Sequence, residues 1–355
     1  MKAGSEISTP MSVTRRKFIS RVAGLSAAML FGGAPFVRGQ DKGGSRRPII
    51  GSGEHTYEVI HDWGHLPEGL VYGNTHGIAE DSHGRIYIKH TVHKTSSIKD
   101  AVVVFDSNGR FVRSWGAEFA GGAHGMHLAR EGGNEVFYLC DTARNRVVKT
   151  TLEGEKIWER FCPNETGGYK KPEEFIPTNV ATAPDGRVYI ADGYGRNYIH
   201  VLRPDGTYIS TFGGSGKSPG HMQTPHGLIV DTRTPAPRLV VADRSNSRLQ
   251  YFTLEGDHAG FVTEDLRMPC HFHIKADKLL IPDLKSRVTI FDQNNRLVVH
   301  LGDGRDYAGI RDRGRSAFTP GRFVAPHGAI FDSKGDIFVV EWVEVGRVTK
   351  LRRLT

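Results

Sequence analysis

The chain has 355 residues, enough for one large domain or two ordinary ones, and its 38% apolar content with 43 glycines favours a turn-rich all-β array over a helical protein. Of the formal net charge of +8, +5 falls in the first forty residues, where Lys2, Arg15, Arg16, Lys17, Arg21 and Arg38 face only Glu6; the remaining +3, with no basic run interleaved with aromatics, excludes nucleic acid as an expected partner. Cys140, Cys162 and Cys270 permit at most one bridge, which excludes a disulfide scaffold and leaves stability to the core.

Thr14-Arg15-Arg16-Lys17-Phe18-Ile19 forms a twin-arginine signature, and an apolar stretch over 22–37 follows it. That stretch is too short and too rich in small residues for a membrane span, so 1–40 is read as a signal peptide and leader. A signal of this kind exports folded protein, which places the mature chain in the periplasm or outside the cell with no stable membrane span. Residues 41–54 are expected to be a linker and 55–355 a single domain.

Within that domain a segment type recurs about every 45 to 55 residues, a period that suits propeller blades. One copy reads Pro177-Thr178-Asn179-Val180, then Ala183-Pro184-Asp185-Gly186-Arg187-Val188-Tyr189-Ile190-Ala191-Asp192, then Tyr198-Ile199-His200-Val201-Leu202 and Tyr208-Ile209-Ser210-Thr211-Phe212-Gly213. These are four strands joined by short turns. Other copies begin at Thr75-His76-Gly77, Ala123-His124-Gly125, Pro225-His226-Gly227, Pro269-Cys270-His271 and Pro326-His327-Gly328, which predicts six blades. The last copy lacks a fourth strand. Residues 56–64 match 111–116 and are expected to supply it, closing the ring and removing exposed edges.

The first strand of each blade lines the central channel, so the starts of all six copies meet at one mouth. In order they are His76, His124, Asn179, His226, Cys270 and His327. His124, His226 and His327 come from alternate blades, a tripod of neutral imidazoles suited to a catalytic zinc with an open position. Cys270 could add a fourth ligand in a structural site. His127, His271 and His273 fall at other strand offsets and read as packing or as supports behind the ligands. The turns between second and third strands reach the same mouth and carry Asp192-Gly193-Tyr194 and Asp243-Arg244-Ser245-Asn246. A tyrosine beside a metal can serve as base or nucleophile, and an arginine can hold a carboxylate.

The repeats resemble NHL repeats, and 177–252 in particular is similar to the lyase domain of the peptidylglycine α-amidating enzyme. The resemblance implies zinc on His124, His226 and His327, Tyr194 as catalytic base and Arg244 as partner of the substrate carboxylate or transition state. The implied reaction splits a peptidyl-α-hydroxyglycine into a peptide amide and glyoxylate, so a small-molecule or peptide-like substrate and a monomer are expected. Three positions depart from the pattern. The first-blade turn reads Lys89-His90-Thr91-Val92-His93-Lys94, with no arginine, which leaves His93 or Lys94 to stand in. Gly328 replaces an acidic residue that helps hold calcium, which argues against calcium, and Gly195 and Tyr251 occupy the disulfide positions. A non-enzymatic NHL-type module binding protein or glycan is the alternative. A propeller esterase or lactonase fits less well, because the ring is rich in histidine and poor in carboxylate.

Overall fold

The computed structural model describes residues 47–304 and 307–354; the expected signal and leader lie outside them. Six antiparallel sheets succeed one another along the chain, five of four strands and one of five. Blade one runs from the strand Thr75–Glu80 to Phe111–Trp115, blade two from Ala123–Glu131 to Lys156–Arg160, and blade three from Asn179–Thr182 to Tyr208–Gly213. Blade four runs from Pro225–Asp231 to His258–Val262 and blade five from His273–Lys275 to Leu297–Leu301. The sixth blade combines Pro326–Phe331, Ile337–Glu341 and Arg347–Arg353 with His55–Ile60 and Ile49–Ser52, so residues from both ends of the domain share one sheet. Tyr57 pairs with Arg353 there and Ile60 with Lys350, the closure expected from the sequence. Ile49–Ser52, which falls in the stretch expected to be linker, forms the outermost strand by pairing with 55–58.

The inner strands are buried on both faces because blades pack against one another, which is why they read as continuous apolar runs. Every residue of Val102–Phe105 and Ile86–His90 is buried, whereas the outer strand Phe111–Trp115 is exposed or half-buried throughout. Tyr87, Tyr138 and Tyr189 occupy equivalent second-strand positions, fully buried, and each hydroxyl has a partner: Asp81 at 3.0 Å, Glu131 at 2.6 Å and the Leu254 carbonyl at 2.8 Å. The rings fill the space between blades while the hydroxyls avoid the cost of an unpaired buried donor.

Five of the six second strands lead at the channel mouth into a buried acid. Asp141, Asp192, Asp243, Asp283 and Glu341 are all 0% exposed, and four of them accept backbone N–H groups from the segment leading into their own blade. Arg248 on Asp243 at 2.6 Å and Arg347 on Glu341 keep two of these buried charges paired, as burial demands. Blade one puts His90 there, paired with Thr75 as Asp243 pairs with Pro225. Its Nδ1 accepts the Gly73 and Val92 N–H groups at 3.3 and 3.1 Å, so an uncharged imidazole replaces a carboxylate.

Two histidines away from the channel, His200 buried and His61 half-buried, have a consequence for acid stability. Burial pushes His61 and His200 down to about 3. In the unfolded chain they titrate near 6.5, so below that pH the unfolded state binds more protons; stability present above 6.5 is lost as pH falls towards 3, by about 1.4 kcal/mol per pH unit for each group. Melting temperature is expected to drop steeply between about pH 7 and pH 5, and less steeply in a His61→Gln, His200→Gln double variant. An unaltered pH slope in that variant would contradict the assignment.

Candidate metal centre

The histidine-glycine pairs at the channel mouth follow from one backbone device. The pairing between first and second strands shifts register at 75/77, 123/126, 225/228 and 326/328, the positions of His76, His124, His226 and His327. A bulge of this kind re-aims a side chain, here towards the axis. The imidazoles of His124, His226 and His327 then donate from Nδ1 to a carbonyl of the neighbouring channel strand: Thr178 at 2.7 Å, Cys270 at 2.8 Å and His76 at 3.1 Å.

The glycine after each histidine exists for the same carbonyl. A Cβ at Gly125, Gly227 or Gly328 would lie 2.3 Å from the Thr178 oxygen, 2.4 Å from the Cys270 oxygen or 2.8 Å from the His76 oxygen. No side chain fits without pushing away the acceptor that orients the histidine. Gly227→Ala is accordingly expected to cost about 1–3 kcal/mol in denaturant melts, and to weaken metal binding about ten- to a hundredfold in titrations, by displacing the support of His226.

These bonds fix the protons. With Nδ1–H spent on carbonyls, His124, His226 and His327 each present an Nε2 lone pair to the axis. Burial holds His124 down to about 3 and His226 and His327 well below the usual range, so all three rings are neutral. Their centroids are 4.7–4.9 Å apart. Two protons face the three lone pairs. The Tyr194 hydroxyl lies 3.1 Å from His124 Nε2 and 3.0 Å from His226 Nε2 but can donate to only one of them; His76 Nδ1 lies 3.2 Å from His327 Nε2 and must be the donor in that pair. One buried lone pair is left without a donor, an arrangement that a cation satisfies.

His76, His124 and His327 offer nitrogens within 4.8 Å of one another and can hold a metal ion. This set and the alternate-blade set share two members and differ in His76 against His226. Orientation separates them: His226 is fixed by a carbonyl with its Nε2 lone pair turned to the axis beside the Tyr194 hydroxyl, whereas the His76 nitrogen in the compact contact carries a proton directed at His327.

Tyr194 and Arg244 arrive from the turns of blades three and four. Asp192, buried below its turn, accepts the Ile176 and Arg196 N–H groups at 2.7 and 2.6 Å and so sets the loop that carries Tyr194. The tyrosine ring is 39% exposed while its hydroxyl points into the histidines. Burial of that hydroxyl raises its pKa and the nearby Arg244 opposes the rise, leaving a neutral phenol in the protein alone. The Arg244 guanidinium lies 5.3 Å from the ring centre and donates to the hydroxyl at 3.4 Å. Its Nε is buried without a partner, which leaves one N–H for an anion.

The other sequence-derived candidates divide. Asn179 is buried at its channel position but accepts the N–H of Val180 at 2.8 Å, a local bond. The Cys270 carbonyl anchors His226, while its thiol, pushed up to about 11 by burial against the pull of Arg244, stands outside the group able to hold an ion. His127, His271 and His273 lie farther along the channel, and His93 bonds Thr95 at 2.7 Å, apart from the cluster. Sequence reasoning gave His76 a lesser place than it occupies, since its ring stands 4.4 Å from His327 and 4.7 Å from His124. Thr178 was missed; the carbonyl of any residue serves that role, and only its place one position before Asn179 could have marked it.

No family model matches the chain. Among curated proteins it is 30% identical over 164 residues to the peptidyl-glycine alpha-amidating monooxygenase A of Xenopus laevis, covering 43% of this chain and 16% of that one. It is 28% identical over 173 residues to the mouse monooxygenase, covering 47% of this chain and 17% of that one. Against a probable peptidyl-alpha-hydroxyglycine alpha-amidating lyase of Caenorhabditis elegans it is 24% identical over 227 residues, covering 59% of this chain and 61% of the relative. The chain is a six-bladed propeller similar to the amidating lyases. It spans under a fifth of the monooxygenases and about three fifths of the worm protein. Two solved structures share the fold. A streptogramin B lyase superposes with a TM-score of 0.55 at 13% identity over 83% of this chain and 97% of that one, and the Staphylococcus aureus virginiamycin B lyase with 0.55 at 12% over 84% and 100%.

In this amidating lyase-like propeller the departures have structural causes. Lys89, in the turn lacking an arginine, is fully buried and donates to the carbonyls of Gly125 at 3.1 Å and Cys140 at 2.7 Å, tying blade one to blade two. Lys94 is exposed near Glu344. Neither hydrogen-bonds the histidines, although the Lys89 charge helps to keep His76 and His124 uncharged. At Gly328 the His76 carbonyl leaves no space for the acidic side chain of the family pattern. Cys140, Cys162 and Cys270 are all free.

Proposed function

We propose that this protein is an exported, zinc-dependent lyase that splits an α-hydroxyglycine-type carbinolamide into an amide and glyoxylate. The observation that carries the reading is the convergence of three carbonyl-oriented imidazole lone pairs, two of them on one phenol, with an arginine holding an unpartnered Nε–H beside it. His124, His226 and His327 would hold the ion, His76 standing against them. Zinc is the choice because neutral imidazoles with an open position suit it and no carboxylate is among them. Bound there, it would polarise the substrate α-hydroxyl oxygen.

The protein's own groups supply the rest. Arg244 orients the substrate carboxylate through its free Nε–H. Tyr194, in its ionised form, accepts the α-hydroxyl proton while the C–N bond breaks, and the phenol so formed returns it to the departing amide nitrogen, so the phenolate is regenerated and the proton balance closes without a co-reactant. Glyoxylate and the amide are then released through the mouth where the Tyr194 ring is exposed. The relatives named as amidating lyases support this reading, and the twin-arginine signature supports export after folding.

The test pairs metal analysis of protein exported by its own signal with glyoxylate release from an α-hydroxyglycine substrate. Stoichiometric zinc and glyoxylate formation, both lost on chelation, are the expected outcome. Metal without glyoxylate would overturn the reaction assigned here, and neither would favour a binding platform.

A further inference from the structure

The channel continues past the histidine cluster into a cavity of about 480 Å³, within the size range of small-molecule sites. Its walls include Leu128 and Ile330, and its polar groups are three more imidazoles, His127 from blade two and His271 and His273 from blade five. Blades two and five face each other across a six-bladed ring, so these groups approach the cavity from opposite sides.

Two of the rings keep one nitrogen free for a ligand. His273 Nδ1 accepts the Phe331 N–H at 3.2 Å, which puts its proton on Nε2. His127 uses Nε2 on Thr182 Oγ1 at 2.9 Å. His273 Nε2 and His127 Nδ1 have no partner among the described residues, and neither is among the atoms sealed from solvent; His271 Nδ1 is sealed and unpaired. Burial pushes His127 and His271 to about 4 and His273 to about 3, so the imidazoles stay uncharged. They act on one another's charge but do not form a compact metal-holding group, which among the described residues is at the other histidines. At the rim, Lys275 is held by the Asp332 and Ser333 carbonyls and Arg130 by Glu135, and the Glu80 and Asp332 carboxylates line the same cavity, so no net positive charge invites an anion.

We propose that the rear of the channel is a second binding site, taking a small uncharged molecule with an apolar body and a carbonyl oxygen held by an imidazole N–H. Neutral donors in an apolar cavity satisfy a carbonyl, whereas a carboxylate would be desolvated with no net positive charge to meet it. The proposal is independent of the reaction at the metal.

Butyramide and butyrate serve as probes of the full exported protein, followed through its histidine side-chain NMR signals. Butyramide is expected to shift the His127 and His273 signals saturably, and butyrate is not. His273→Phe, which keeps an aromatic ring and removes the donor, should weaken butyramide at least about tenfold, the change for one lost hydrogen bond of ordinary strength. Leu128→Phe, which narrows the cavity and leaves every polar group in place, should weaken it as well, and melting curves establish that both variants fold. His226→Ala should leave butyramide binding intact. The proposal is overturned by no saturable shift, by equal binding of butyrate, by unchanged affinity in folded His273→Phe and Leu128→Phe, or by loss of binding in His226→Ala.

Discussion

Replacing His226 with alanine is expected to reduce bound zinc from one equivalent to a small fraction, with affinity falling at least about a hundredfold. The protein offers two overlapping sets of three histidines, and this variant separates them. His226 is oriented by the Cys270 carbonyl at 2.8 Å and presents an Nε2 lone pair to the axis, whereas His76 directs a proton at His327. His76→Ala should therefore retain most of the metal. Zinc content measured on both variants after identical dialysis decides the matter: normal zinc in His226→Ala, with loss in His76→Ala, would replace the alternate-blade set by the compact one.

Tyr194→Phe is expected to leave zinc content unchanged and to lower turnover about a hundred- to ten-thousandfold, the range for removing a positioned acid–base group. The substitution keeps the ring over which Arg244 lies and removes only the hydroxyl that bridges His124 and His226. The phenol is raised by burial in the protein alone, so activity should rise with pH along a limb that the phenylalanine variant lacks. Single-turnover glyoxylate release across pH measures both. A variant of near-normal rate would show that the proton leaves by another route.

The six copies and the closing strand were legible because propeller blades repeat one pattern, and the sequence carries it at the turn acids, the inner apolar runs and the His-Gly starts. His124, His226, His327, Tyr194 and Arg244 could be listed from topology alone, since every first-strand start and every turn between second and third strands reaches one mouth. Their distances place them together. What the sequence hid was backbone chemistry. The Thr178, Cys270 and His76 carbonyls that fix the tautomers belong to residues whose side chains are irrelevant to that task. For the same reason the glycines looked like turn residues, although they make space for those carbonyls. His90 was unreadable in another way: it occupies a position that is acidic in the other blades and accepts backbone N–H groups as the acids do.

The junction between the first and last blades passes through the histidines. His76 belongs to blade one, His327 to blade six, and their rings touch across the boundary, while blade six itself is zipped by 57–60 against 350–353. An ion held at this boundary would act as a clasp: it binds the closed circle and not the opened one, so occupancy and closure favour each other by mass action. Loading the site would then slow the parting of the first and last blades, the point where a ring of sheets is most apt to unravel.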